Sequence, residues 1–357
     1  MSSYRVLVAN ITTNVIISEL PFDGFSYEEI INGAGKFSGT LDLRNPKVTQ
    51  QDLYPMRNSL YVERDGIIVW SGMVTTCSPN SSSGTLKVDG LGLWSYAGFR
   101  LLNESRNYLT LDQTSVITQG LMTYMNEQYN IGWVLDCPAS GVLRDRQTYY
   151  GYERRTIRLL IEQLSNVING FDFAVQSSWS GNEIVDTFRT FYPERGRRTN
   201  LKWTKYVDGQ PGSNVDIISA PINGVDTANK VASIGDGQGE AMRNVDVSDV
   251  SLIGPDKYPL IETVTMHKTI RHSVTLTDRA RQDLQRLKNP PVQASLVLRR
   301  GHSDTAIGVF EPGDLITLTA SDGWVTLSGF WKILSYQVDV DSNGSEEVTA
   351  KVIKVYE

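Results

Sequence analysis

The chain has 357 residues, of which 40% are hydrophobic and 21% charged, as in a folded globular protein that can bury several cores. Its 34 Lys and Arg side chains against 40 Asp and Glu give a formal charge of −6, which argues against a protein that holds nucleic acid through a strongly basic surface. No stretch approaches 18 consecutive apolar residues, so no membrane span is expected. The abundance of Gly, Tyr, Thr, Ser and Val favours an α+β, mainly β protein.

Residues 1–98 are predicted to form a first small β-barrel. Apolar side chains alternate along residues 4–8 and 37–43, which is the period of a strand with one buried face. Asn45-Pro46 interrupts this pattern. Several short strands separated by glycine-bearing turns are typical of a small barrel or sandwich.

Residues 99–222 are predicted to form an α+β domain. Thr110 and Gln113 have the spacing of a capping box, and an apolar stripe at helical intervals follows them. A second amphipathic stripe ends before Gly170, which is suited to follow a helix. The stripes consist of Val116, Ile117, Leu121 and Met125, and of Ile157, Leu160, Ile161, Leu164 and Ile168.

Residues 223–357 are predicted to form a second β-barrel with a helical insertion at about 258–290. The composition of residues 208–213 indicates the linker or loop that precedes it. A strand at 229–234 is expected to begin this barrel, and strands resume at 293–298. The helix of the insertion is indicated by the shared face of Leu276, Ala280, Leu284 and Leu287, and by the stop at Asn289-Pro290-Pro291.

A short phrase occurs near both ends of the chain. An Asp-Gly pair, four residues and a Ser-Gly pair appear twice, 257 positions apart (322 − 65 and 328 − 71). Strand-like runs flank both copies, and a small polar turn follows each one at 80–84 and at 341–344. The copies are Asp65-Gly66 with Ser71-Gly72, and Asp322-Gly323 with Ser328-Gly329.

The repeated phrase has two explanations. Asp-Gly between apolar runs is a strong hairpin signal, so two such turns can arise in any β-rich protein. Trp70 and Trp324 do not support a repeat, because the 257-residue offset carries Trp70 onto Leu327. The joint match of turns and spacing nevertheless favours two similar β-domains.

No catalytic or metal-binding constellation stands out, so we expect no enzyme, no catalytic residue, no metal and no cofactor. The histidines His267, His272 and His302 do not form the H-E-x-x-H pattern. His302-Ser303-Asp304 contains triad residue types, but side chains of one short turn do not easily reach triad geometry. The loop 235–239 lacks the glycine and lysine positions of a phosphate-binding loop and is predicted to be a turn.

Other residues leave alternatives open. Cys77 and Cys137 form no C-x-x-C pair, which favours reduced, partly buried thiols and leaves their proximity undecided. The cationic turn 195–198 is either solvated or contacts an acidic partner. Seven tryptophans could stack on sugars, which keeps a carbohydrate-binding or glycan-cleaving function as the alternative, although most are expected to fill cores. They are Trp70, Trp94, Trp133, Trp179, Trp203, Trp324 and Trp331.

Several segments resemble a known family in chain order. The segments 35–41, 64–72 and 88–93 look like the N-terminal part of tail-tip or baseplate hub proteins of long-tailed bacteriophages. Three later segments, 229–231, 258–259 and 311–315, look like the second barrel of that family. The most similar group is the hub type of siphophage minor tail protein.

The resemblance implies a structural protein of the virion, placed at the phage tail tip and assembled in the bacterial host cytoplasm. Hub proteins of this family form homotrimers whose six barrels adapt a six-fold tail tube to a three-fold tip. Their channel passes DNA without specific binding. The implied neighbours are the distal tail protein, the tape-measure protein and a tail fibre or spike.

Overall fold

The computed structural model describes residues 2–127, 129–167, 169–206, 212–267 and 273–356, so Ile168, residues 208–211 and His272 lie outside it. As predicted, the described chain is mainly β. It divides into a large unit, Met1–Ile218 with Ser295–Glu357, and a small unit, Ser219–Ala294. None of the helices in the described part has the length and apolar character that a membrane crossing requires.

The strands are numbered in chain order: β1 (Tyr4–Asn10), β2 (Ile16–Leu20), β3 (Gly24–Ile30), β4 (Lys36–Asp42), β5 (Asn58–Arg64), β6 (Ile67–Asn80), β7 (Thr85–Gly92), β8 (Arg106–Asp112), β9 (Val134–Asp136), β10 (Leu143–Tyr149), β11 (Asp172–Ser180), β12 (Glu183–Phe191), β13 (Arg198–Lys205), β14 (Val215–Ser219), β15 (Lys230–Ile234), β16 (Asn244–Ser248), β17 (Glu262–Met266), β18 (Gln293–Leu298), β19 (Leu315–Ser321), β20 (Thr326–Val340) and β21 (Glu346–Lys354). The α-helices are α1 (Gln113–Val116), α2 (Met122–Asn126), α3 (Ile157–Ser165) and α4 (Ser273–Leu287). A π-helical turn, Ile117–Leu121, joins α1 to α2.

Thirteen strands of the described chain form one large sheet. Its main order is β14-β18-β21-β20-β3-β4-β7-β6-β5-β1-β2, and β19 pairs with both β20 and β13. The pairings from β20 to β2 are antiparallel, whereas β13 and β19 run parallel. The sheet therefore includes strands from both ends of the chain.

The strand order repeats within this sheet. One run is β3-β4-β7-β6-β5, and the other is β14-β18-β21-β20-β19. We call them the first run and the second run. β4 begins at Lys36 and β18 at Gln293, again 257 positions later (293 − 36). The repeated phrase is thus part of a longer repeat of strand order, while closure of each run into a barrel stays a prediction.

Both runs share details along their long middle strands. The β6–β7 ladder has a bulge between Val74 and Thr76, and the β20–β21 ladder has one between Ile333 and Ser335. The polar turns that follow are also alike. The side-chain oxygen of Asn80 accepts a hydrogen bond from the backbone nitrogen two residues later, as Asp341 does in the second run.

The Asp-Gly turns themselves differ. In the first run two residues join β5 to β6, and Asp65 and Gly66 have the positive φ values, +50° and +86°, that a type I′ turn requires. In the second run residues 322–325 form a longer connection, in which Asp322 Oδ1 accepts a hydrogen bond from the backbone of Val325 at 3.2 Å. The spacing of the phrase is kept although the turn type is not.

Aromatic rings fill the core of residues 93–197, which lie between β7 and β13 and are called the middle segment. The Trp94 ring lies 4.7 Å from that of Phe173 and 5.4 Å from that of Phe188, and Trp133 stacks on Phe188 at 6.5 Å. All four side chains are buried. They form one hydrophobic cluster with residues of α1, α2 and α3, which holds these helices against the β11-β12-β9 sheet.

The two predicted helices of this segment have different outcomes. In α3, the described residues of the predicted stripe are all buried, and Thr156 caps the helix by accepting from the backbone of Leu159. The helix ends at Ser165, earlier than Gly170 indicated. The capping box at Thr110 is wrong, because β8 continues through Asp112, whose carboxylate caps α1 instead.

The small unit has a sheet and a helix of its own. β15 pairs with β16 in the antiparallel sense and with β17 in the parallel sense, and α4 contacts β15 and β16. Leu276 and Ala280 of the predicted helical face are fully buried. We expected the strand at 229–234 to begin the second barrel, but the structure places it in this separate three-stranded sheet. The domain boundaries at 98 and 222 stay predictions.

We expect Gly92→Ala to destabilise the protein much more than Gly66→Ala. A Cβ at Gly92 would lie 1.4 Å from the Ala34 carbonyl oxygen, so backbone has to move, at a cost of about 3 kcal/mol. A Cβ at Gly66 meets nothing within 4 Å, so only its positive φ is strained, at about 1 kcal/mol. The free energies of unfolding from urea titrations measure both effects, and equal losses would contradict the close approach.

Candidate functional site

The described histidines that sequence patterns single out, His267 and His302, belong to different units of the chain. His302 precedes a turn in which Asp304 accepts hydrogen bonds from the backbone of Lys202 and from the indole of Trp203. His267 contacts Asp283 at 2.8 Å within the small unit. No group of three or more metal-ligating side chains occurs among the described residues.

The glycine-rich loop and the cysteines have structural surroundings. Residues 235–239 lie in the connection between the antiparallel strands β15 and β16, and Gly235 donates to the Arg243 carbonyl. Both thiols are free. Burial raises the pKa of Cys77, and it raises that of Cys137 to about 11, so neither thiol has the acidity of a reactive cysteine.

Most tryptophans fill cores, as the sequence predicted. Five are buried and Trp179 is partly buried, whereas 85% of Trp324 is exposed beside the turn after β19. The buried ones are Trp70, Trp94, Trp133, Trp203 and Trp331. A row of exposed rings for stacking on a sugar chain is not present among these seven side chains.

The most distinctive site is the seam where the first run joins the second. β3 pairs with the second half of β20 in the antiparallel sense, from Phe25 opposite Val340 to Ile30 opposite Ser335. Ile31 extends the ladder by donating its backbone N–H to the Leu334 carbonyl. Residues about 300 positions apart in sequence therefore share one backbone ladder.

A buried cation lies beside this seam. The Arg195 side chain is only 3% exposed, and its guanidinium is 3.8 Å from Glu29 of β3 and 3.6 Å from Glu311. Arg195 is therefore shielded from solvent, whereas Arg197 and Arg198 of the same cationic turn are exposed. Its glycine approaches a second loop, since a Cβ at Gly196 would lie 2.1 Å from the Gly313 carbonyl carbon.

Asp172 organises the polar groups around this loop. It accepts hydrogen bonds from the backbone of Arg195 at 2.7 Å and from Asn32, which follows β3, at 2.6 Å. Lys332 of β20 lies 3.4 Å from Asp172 and 2.7 Å from Glu194. One carboxylate thus joins the middle segment to both strand runs.

A second ionic contact joins the runs through β5 and β21. Arg64 donates to Glu346 at 2.7 Å, and Tyr4 donates to the same carboxylate at 2.7 Å. Burial alone raises the pKa of Glu346, but these hydrogen bonds hold it below its ordinary value. Both partners of the Arg64–Glu346 pair are mostly shielded from solvent, so salt screens their attraction less than that of an exposed pair.

The seam borders a cavity of about 340 Å³. Its lining includes Glu29, Trp70, Ser71, Arg195, Glu311 and Tyr336. Burial raises the pKa of Glu29 to about 7, with Arg195 acting in the opposite direction and Glu311 in the same direction. The site is suited to joining parts of one fold, and sequence patterns had singled out its cationic turn, Trp70 and Ser71, but not their proximity.

Comparison with known proteins gives matches in structure alone. No protein-family model matches the chain, and no curated protein matches its sequence. A tail protein from Neisseria meningitidis is similar with a TM-score of 0.65 and 12% identity, covering 99% of this chain and 97% of that one. The 43 kDa tail protein of prophage MuSo2 from Shewanella oneidensis has the same TM-score and identity, with 99% and 98% covered.

A third similar structure belongs to a component of a secretion system. The E. coli c3393 protein, a component of the type VI secretion system with structural similarity to the T4 tail proteins gp27 and gp5, has a TM-score of 0.50 at 12% identity. The match covers 100% of this chain and 75% of that one. The chain thus has the fold of phage tail proteins, and the resemblance predicted from sequence is confirmed at the level of the fold.

We expect Glu29→Gln to flatten the dependence of stability on pH. A carboxyl that binds its proton more tightly when folded stabilises the fold at low pH, and this contribution is lost as pH rises from about 4.5 to about 7. A Gln side chain does not titrate in the folded or the unfolded state, so the loss of stability between pH 4.5 and 7 disappears. Urea unfolding at pH 4.5 to 8 measures the free energy of unfolding of both proteins.

The control for this prediction is Glu311→Gln, which removes the other carboxylate beside Arg195 from a side chain that is 64% exposed. We expect this control to keep most of the wild-type change in the free energy of unfolding between pH 4.5 and 7. Equal slopes in the wild type and Glu29→Gln would show that Glu29 does not titrate in this range.

Proposed function

We propose that this chain is a structural tail hub protein that adapts a six-fold tail tube to a three-fold tail tip and forms part of the DNA-passage channel. The observation that carries the proposal is the repeat of strand order between the first run and the second run. The fold shared with phage tail proteins supports it.

Two similar runs in one chain suit such an adaptor. A homotrimer would present six runs around one axis, which lets a three-fold assembly match a six-fold neighbour. The proposed neighbours are the distal tail protein, the tape-measure protein and a tail fibre or spike. The proposed location is the tail tip of the virion, after assembly in the host cytoplasm.

The proposed channel role requires no specific DNA contact. The formal charge of −6 does not favour a surface that attracts phosphates, and a channel that releases DNA quickly benefits from weak binding. A non-enzymatic role agrees with the structural similarity to tail proteins. The proposed homotrimer needs no cofactor or metal.

Two other functions are compared with this proposal. The similarity to a type VI secretion component favours a related role in that machine, where the same ring geometry would serve. The carbohydrate-binding or glycan-cleaving alternative has less support, because most of the tryptophans that motivated it are buried.

We expect the protein in purified phage particles, at the tail end opposite the capsid. Quantitative mass spectrometry of purified virions and gold-labelled antibody in electron micrographs measure its presence and position. Its absence from particles, together with its presence in a secretion sheath fraction, would contradict the phage role. Binding on a glycan array would instead support the carbohydrate alternative, and we expect none.

A further inference from the structure

Two strands of the large unit have a side without a strand partner in the described part of the chain. β14 lies at the end of the sheet and pairs with β18, a contact supported by the Asp216–Arg299 ion pair at 2.6 Å. The second half of β6, residues 75–80, pairs with β7, and no second strand of the described chain borders these residues on the other side. Both edges therefore offer backbone groups for pairing.

These open edges occupy equivalent places in the two runs. β3 and β14 are the first strands of their runs, and β6 and β20 are the long strands with the shared bulge. Within the chain, the second half of β20 pairs with β3. The same pairing between the equivalent strands, β6 and β14, does not occur within the described part of one chain.

We propose that β14 of one copy pairs with residues 75–80 of β6 in the next copy, so that the β3–β20 seam is repeated between chains. This inference rests on the proposed assembly and identifies its contact. The two edges are different surfaces of the chain, so the contact is head-to-tail. Repeating it closes a ring of three when each copy is rotated by one third of a turn, as the proposed assembly requires. Each chain then contributes one internal seam and one seam with its neighbour.

The side chains at these edges fit a second copy. Ile218 of β14 is 57% exposed, which leaves an apolar side chain that a neighbouring strand would cover. Thr76 and Ser78 of β6 are exposed and place no charge against it. Pro79 has no backbone donor, which a strand edge tolerates and which confines the new ladder mainly to the preceding residues.

Another open edge serves as the comparison. β2 ends the sheet on the other side and exposes Ile16 and Ile17 at 38% and 45%. It belongs to neither of the two repeated runs, so no internal seam predicts a partner for it. Copies that contact each other through β2 would be arranged differently from copies that pair through β14 and β6.

Disulfide trapping tests the proposed contact directly. Ser78 is equivalent to Gln337, which faces Glu28 in the internal seam, because the shared bulges are 259 positions apart (333 − 74 and 337 − 78). In a Cys77→Ser, Cys137→Ser background, Ser78→Cys is combined with either Ile218→Cys or Ser219→Cys. Facing residues of paired strands are within disulfide reach. Adjacent residues of a strand point to opposite faces, so only one of Ile218 and Ser219 can lie on the same face as residue 78.

We expect one of these two double variants to form oxidised multimers much faster than the other, at least about tenfold, seen on non-reducing gels. Ser78→Cys with Ile17→Cys is the control for the β2 edge and is expected to stay uncrosslinked. Multimers that form only in this control, or in none of the variants although light scattering shows an assembled protein, would overturn the proposed contact while leaving the assembly intact. A protein that never assembles would instead count against both proposals.

A second measurement avoids cysteines. Ile218→Asp places a charge on the proposed edge, and Ile17→Asp places one on β2. We expect Ile218→Asp to weaken self-association at least about tenfold in light scattering, with Ile17→Asp unchanged and circular dichroism unaltered in both. Equal association of the two variants would contradict the role of β14.

Discussion

The antiparallel pairing of β3 with the second half of β20 is the interaction on which the arrangement of the large unit depends. Buried backbone groups need partners, and this ladder satisfies those of two strands that lie far apart in the sequence. It also places Glu29 beside Arg195 and brings Lys332 to Asp172. The Arg64–Glu346 pair then adds a contact between β5 and β21. The ion pairs beside the seam therefore follow from the backbone pairing.

The two runs also show where this fold accepts additional chain. β3 and β4 are joined by residues 31–35, whereas the equivalent strands β14 and β18 are separated by most of the small unit, Ser219–Ala294. The entropy of closing a connection grows only slowly with its length, and this connection folds a sheet and helix of its own. A long insertion is thus compatible with the repeated strand order.

Local patterns predicted much of this fold. The buried stripe of α3, the face of α4 and the bounds of β18 follow from periodicity and from chain breakers, which act over a few residues. The predicted cap of α1 at Thr110 was wrong, because β8 continues through Asp112 and the Asp112 side chain caps the helix instead. The site was mostly hidden, since nothing near Arg195 in the sequence shows that Glu29, Asp172 and Glu311 surround it.

We propose that one chain holds two equivalent runs and that three chains present six of them. Native mass spectrometry of the purified protein measures the number of copies. We expect a closed species of three copies of the 39.8 kDa chain that persists on dilution through the micromolar range. A protein that stays monomeric, or that forms dimers or open-ended series of copies, would contradict it.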